Sequence, residues 1–156
     1  MKTRNKTSIS KLNAASNGAT VGGYAAVYNQ ITQLGNMYER IENGAFDDAD
    51  MSDVRLLINH EGIALARTKS GTLGLITDGK GLRYVATLPD TEQGNALATA
   101  ARRGDIDQSS FAFTVSKQRF EQHNGKPLRV IEQIGKVLDV SAVVFPAYEG
   151  TEFNAK

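Results

Sequence analysis

Cysteine is absent from this chain of 156 residues, and histidine occurs only twice, at His60 and His123. The first absence excludes a disulfide framework and thiolate chemistry, and it fits a reducing cytoplasm. The two together leave no conventional zinc ligand set, so neither a metal nor any other cofactor is expected. An excess of charge of one sign is also missing. Eighteen basic against 17 acidic residues give a net charge of +1, which argues against a general binder of nucleic acids or membrane surfaces. Long apolar runs are lacking too. The longest, residues 140–147, is far too short to span a bilayer. The basic start Met1-Lys2-Thr3-Arg4-Asn5-Lys6 is not followed by the apolar stretch of a signal peptide. Cofactor motifs fail as well. Gly79-Lys80-Gly81 could open a dinucleotide fingerprint, but Tyr84 stands where the third glycine is needed, and no Walker loop occurs. His60-Glu61 could open a zinc-protease helix, but Ala64 occupies the place of its second histidine.

What is present is a globular composition, 40% hydrophobic and 22% charged, at the commonest size for one domain. Residues 1–20, rich in Lys, Thr, Ser and Asn, read as a partly ordered arm with a short strand at 7–11; residues 21–156 read as a single domain. Strands are expected at 21–28, 37–41, 54–60, 63–67, 72–77 and 82–88, with turns at Ser70-Gly71 and Asp78-Gly79. Gly22 and Gly23 allow a bulge or a close backbone approach. Residues 30–36 read as a loop, and the acidic residues 47–53 as a short helix. Pro89 ends this run of strands. A helix follows, with Asp90 and Gln93 as a capping box, Ala96, Leu97, Ala100 and Ala101 as its apolar stripe, and Gly104 as its stop. It delivers the chain into a strand that continues to residue 120. A hairpin turn at Asn124-Gly125, a return over 128–134 and an apolar strand over 137–145 complete the pattern. The fold class is α+β: a mainly antiparallel sheet, strongly curved or closed into a β-barrel, flanked by a few helices.

Chemistry concentrates on residues 107–115, Asp-Gln-Ser-Ser-Phe-Ala-Phe-Thr-Val. Side chains alternate along a strand, so Ser109, Phe111, Phe113 and Val115 share one face and Ser110, Ala112 and Thr114 share the other. The first face is apolar and belongs in a core. The second is small and partly polar, and there Ser110 can face a cleft. A serine nucleophile needs a base, and the base needs an orienting group. His123 precedes the exposed Asn124-Gly125 turn and reads as solvated surface. His60, at the end of the 54–60 strand in line with Leu56 and Ile58, is the better base. Asp139 interrupts an apolar strand. A carboxylate there either pairs, a histidine being one suitable partner, or reaches water at the strand end.

At this point several motifs, in order from about residue 21 to residue 151, resemble the prohead proteases of tailed bacteriophages. These are serine proteases similar in fold to the herpesvirus assemblins. The motifs include Gly23-Tyr24-Ala25-Ala26-Val27-Tyr28, Asn43-Gly44-Ala45-Phe46, Asn59-His60-Glu61 and Leu65-Ala66-Arg67. They continue with Ser109-Ser110-Phe111-Ala112-Phe113 and with Leu138-Asp139-Val140-Ser141 leading to Pro146-Ala147-Tyr148. The resemblance implies His60 as general base, Ser110 as nucleophile and Asp139 as third member, with the segment 147–149 as the suspected oxyanion site. The chain departs from the family twice. Asp139 stands where Glu is usual, one methylene shorter, and Ala112 replaces the common Gly after Ser-Phe. The implied setting is the assembling prohead in the host cytoplasm, where the enzyme cleaves the scaffolding segment of the major capsid protein, and itself. Association of copies into a homo-oligomer is left open.

Two other readings compete. One is a catalytically inactive, capsid-associated β-barrel binding module, which would tolerate loss of His60 or Ser110. The other is an unrelated esterase, whose usual Gly-x-Ser-x-Gly elbow is absent.

Overall fold

Alternating sequence becomes alternating structure over most of the chain. In the structure, a computed structural model, residues 17–146, 148 and 150–155 are described. They form two β-sheets and one helix. The strands, in chain order, are β1 (Asn17–Val27), β2 (Thr32–Leu34), β3 (Met37–Ile41), β4 (Arg55–Ile58), β5 (Glu61–Arg67), β6 (Leu73–Thr77), β7 (Gly81–Pro89), β8 (Gln108–His123), β9 (Lys126–Val143) and β10 (Asn154–Ala155), with helix α1 (Glu92–Arg103) between β7 and β8. The first sheet has the order β10-β1-β7-β6 and is antiparallel throughout. Its strands pass unusually close. A Cβ on Gly22 would lie 2.3 Å from the Tyr84 carbonyl oxygen, so this crossing of β1 and β7 admits no larger residue.

The second sheet is built on β9. Strand β8 runs antiparallel along one edge of β9 for its full length. The other edge is shared end to end by β3, parallel to β9 at residues 128–131, and β4, parallel to it at residues 139–142. Strands β2 and β5 extend the sheet beyond β3 and β4. Between Ala112↔Asp139 and Phe113↔Val137 the pairing skips Leu138, a bulge in β9. Val137 and Val140 thus both point inward and are fully buried, while Leu138 is exposed. The core lies under this inner face. Phe111 stacks on Phe113 with centroids 4.3 Å apart and tilts against Phe46 at 5.5 Å. Each such burial stabilises the fold by about 1.5–3 kcal/mol.

Several expectations need correction. The sheets are not closed into a barrel: they remain two separately paired sheets, and two of the pairings with β9 are parallel. Instead of a few helices, one helix occurs among the described residues. The acidic segment 47–53 is not a helix: a turn ends at Asp48, Asp50 forms an isolated bridge and residues 52–53 bend. Its Asp50 is committed to β9, where Asp50 N–H donates to Gly135 O and Val137 N–H to Asp50 O, while Ala49 and Met51 enter the core. That pairing in the gap between β3 and β4 overrides local propensity. Residues 32–34 of the expected loop pair with β3 as β2, and the 137–145 strand ends at Val143, leaving Val144 and Phe145 exposed. The cap of α1 is Thr91, not Asp90: its side chain accepts from Gly94 N–H. Gly94, Leu97 and Ala98 are the buried helix residues, whereas Ala96 is exposed. Gly104 ends α1 with φ 82°. Residues 17–20 are part of β1; the strand expected at 7–11 lies outside the described residues.

Candidate active site

Asn59 and His60 are the two central residues of the β4–β5 hairpin, with Ile58 paired to Glu61. Both have left-handed φ values, 52° and 63°, as the tight two-residue turns that match strand twist require. Asparagine enters this region readily. For histidine it costs on the order of 1 kcal/mol, so something must hold it there. The clamp comes from β9. Asn59 N–H donates to Ala142 O at 2.9 Å, His60 N–H donates to Ser141 Oγ at 3.1 Å, and Asn59 Oδ1 accepts from Val144 N–H at 3.2 Å. The sequence placed His60 in line with Leu56 and Ile58. In the structure the strand stops at Ile58, and the turn carries the imidazole away from the core, with its side chain 37% exposed.

There it meets Asp139. His60 Nδ1 lies 2.7 Å from Asp139 Oδ1, so the shorter acid reaches the ring despite the missing methylene. An ionised carboxylate only accepts hydrogen bonds, so opposite one Nδ1 carries the hydrogen, and in the neutral ring Nε2 then keeps its lone pair. Asp139 is buried and does not stand alone: Ser141 Oγ donates to the same oxygen at 2.8 Å. This answers the cost of placing a carboxylate in an apolar strand.

The two serines of β8 separate as strand alternation requires. Ser109 is fully buried on the core face, 2.7 Å from Tyr84 Oη, and its hydroxyl donates to Glu152 O at 2.6 Å. Its backbone N–H donates to Thr151 Oγ1. Burial pushes the Tyr84 phenol far above its usual range, so it stays neutral. Ser110 lies on the opposite face, half-buried, directly across from Ser141, while Ala112 lies across from Asp139. Side chains at such paired positions have Cβ atoms about 4.5–5.5 Å apart. Ser110, Ser141 and Asp139 therefore share one face, with the His60 turn clamped onto it. No hydrogen bond joins Ser110 to His60 among the described residues.

His123 is elsewhere, at the tip of the β8–β9 hairpin, its ring edge-on to Tyr38 with centroids 4.7 Å apart. Of the suspected oxyanion segment, Ala147 and Glu149 lie outside the described residues. Among the described residues no cluster of His, Cys, Asp and Glu could hold a metal ion, and no helix is long and apolar enough to cross a membrane.

Sequence reasoning missed two contributors, Ser141 and Asn59. Ser141 carries a recognisable signal, since it follows Asp139 by two positions and must share its face. A small polar residue in a strand usually passes for filler, however. Asn59 could have been found as the residue that best tolerates the first position of a tight turn.

No curated protein and no solved structure matches the chain. A family model does, along nearly its whole length, and it describes serine peptidases. With residues 5–156 of 156 matched, the chain belongs to the caudovirus prohead serine protease family.

Proposed function

We propose that this chain is a serine endopeptidase that cuts the scaffolding segment of a phage capsid precursor, and itself, inside the assembling prohead in the host cytoplasm. In this reading Ser110 is the nucleophile, His60 the general base and Asp139 the group that orients His60. The observation that carries it is the 2.7 Å contact between His60 Nδ1 and Asp139 Oδ1 on the face that Ser110 shares.

The chemistry follows from that contact. With Nδ1 engaged, Nε2 takes the Ser110 proton as Ser110 Oγ attacks the peptide carbonyl. The resulting imidazolium is stabilised by the Asp139 carboxylate. Collapse of the tetrahedral intermediate breaks the C–N bond, and Nε2 returns the proton to the leaving amine. Water then repeats the sequence on the acyl-enzyme and releases Ser110. Hydrogen bonds between nucleophile and base commonly tighten only when substrate is bound.

The inactive-module reading is disfavoured by the strained His60 backbone. A turn with no chemical task has no reason to keep a histidine at φ 63° where asparagine or glycine costs less. The test is co-expression of a Ser110→Ala chain with the capsid precursor of the same phage. Processing of both precursor and protease is expected to vanish, with a loss on the order of a million-fold in turnover, while circular dichroism stays native. Normal processing would remove Ser110 from the mechanism.

A further inference from the structure

Three polar groups meet around one buried oxygen atom. Ser141 is fully buried, and its Oγ accepts from His60 N–H at 3.1 Å, donates to Asp139 Oδ1 at 2.8 Å and lies 3.3 Å from His60 Nδ1. A hydroxyl has one hydrogen to give. Nδ1 already carries a hydrogen, because it faces a carboxylate, so the Ser141 proton goes to Asp139. The oxygen lone pairs are then directed at the His60 main chain and toward Nδ1–H.

We propose that Ser141 is a positioning residue for the dyad, fixing the His60 backbone and the Asp139 carboxylate to each other through one atom. This rests on the assignment of His60 and Asp139 above and goes beyond it. The dyad needs such a part for two reasons. First, His60 holds a left-handed backbone that is costly for a histidine, and its own N–H has Ser141 Oγ as its acceptor. Second, both hydrogen bonds to Asp139 converge on Oδ1. The serine proton therefore fixes the rotation of the carboxylate so that the oxygen facing Nδ1 does not swing away. Ser141 sits across from Ser110 on β8, so the same atom also sets the height of the imidazole above the nucleophile's strand. It touches no substrate, being buried beneath the His60 turn.

The test uses the intact chain acting on purified capsid precursor of the same phage, with two readouts. One is kcat and KM. The other is the pH titration of the His60 ring followed by nitrogen-15 NMR, which needs no activity. Ser141→Ala leaves the His60 N–H without its acceptor and Asp139 Oδ1 without its second donor. The expected result is a kcat reduced about ten- to a hundred-fold, the range set by orphaned buried hydrogen-bonding groups, with KM unchanged. The His60 titration midpoint is expected to move. Ser141→Thr, which keeps the hydroxyl, should recover most of the rate, a rescue that loss of packing alone does not predict. If the alanine chain fails to fold, Ser141→Cys keeps a small side chain with a weaker donor and acceptor in place of the hydroxyl and should also lower kcat. Native kcat together with an unmoved His60 midpoint in the folded Ala or Cys chain would overturn the proposal. Persistence of cleavage in a His60→Ala chain would instead sink the underlying assignment of the dyad, whatever Ser141 does.

Discussion

The long β8–β9 hairpin carries a histidine near each end, and the two ends use it differently. At the open end, His60 is brought in by a separate hairpin and set against a buried carboxylate at 2.7 Å. At the tip, His123 belongs to the hairpin itself and packs edge-on to Tyr38. Around that half of the hairpin the charges pair among themselves. Arg119 contacts Glu42, Glu121 and Glu132, and Arg129 holds the buried Glu39, whose carboxyl burial pushes above its usual range against the pull of Arg129. One imidazole has an acid dedicated to it and one has an aromatic ring. The residue type says nothing about role; the neighbours supplied by distant strands do.

The sharpest way to break this comparison is to remove each ring. His60→Ala should reduce capsid precursor cleavage on the order of a million-fold, and His123→Ala should leave it unchanged. Gel-resolved processing of the two variants side by side decides it, and equal effects would erase the distinction between the ends. Next in size is Asp139→Asn, which keeps the shape but permits the wrong imidazole tautomer. A loss on the order of ten-thousand-fold in kcat is expected, read from initial rates; a native rate would mean that His60 orients itself.

Smaller effects come from the face of β8 turned away from the site. Ser109→Ala should leave cleavage near native but lower stability by about 1–3 kcal/mol, because the buried Tyr84 hydroxyl loses its partner. Urea unfolding measures this, and an unchanged midpoint would argue that Ser109 is not held as described. The smallest effect belongs to a second acid–base pair, Asp53 with Arg67, bonded at 2.7 and 2.9 Å. The Arg67 hydrogen bonds hold Asp53 down to about 2, from an ordinary 3.8. Because the folded pKa is depressed, the pair contributes stability above about pH 3.8, and that contribution is lost as pH falls toward 2. Asp53→Asn should therefore flatten the acid limb of the stability curve across that window while leaving cleavage intact. An acid limb identical to that of the native chain would remove the pair from the account.

The sequence made local alternation plain and long-range partnership much less so. The faces of β8 follow from Phe111 and Phe113 alone, and the Asn124-Gly125 turn from its dipeptide. The need of Asp139 for a partner was visible from its apolar flanks, and His60 could be offered as that partner. That the two meet depends on a contact between residues 79 positions apart in the chain. Ser141 shows its face by its spacing from Asp139, but its importance lies in three simultaneous distances that no spacing records. The acidic segment at 47–53 misled because Asp50 spends its backbone groups on β9, a tertiary demand that no local propensity records. Barrel closure was unreadable for a similar reason: whether edge strands meet depends on how β3 and β4 divide one side of β9.

The extra residue at Leu138 has a consequence for how this chain can change over time. Inward and outward positions along β9 are counted in twos, and Leu138 resets the count between Val137 and Asp139. Point substitutions near it alter one side chain each. Loss of the Leu138 codon would remove the bulge and leave Val137 inward and Asp139 outward in plain alternation, so the strand can shorten at this one point. Loss of the codon between Asp139 and Ser141 is of another order, since the two side chains then face opposite sides of the sheet and the carboxylate parts from its serine.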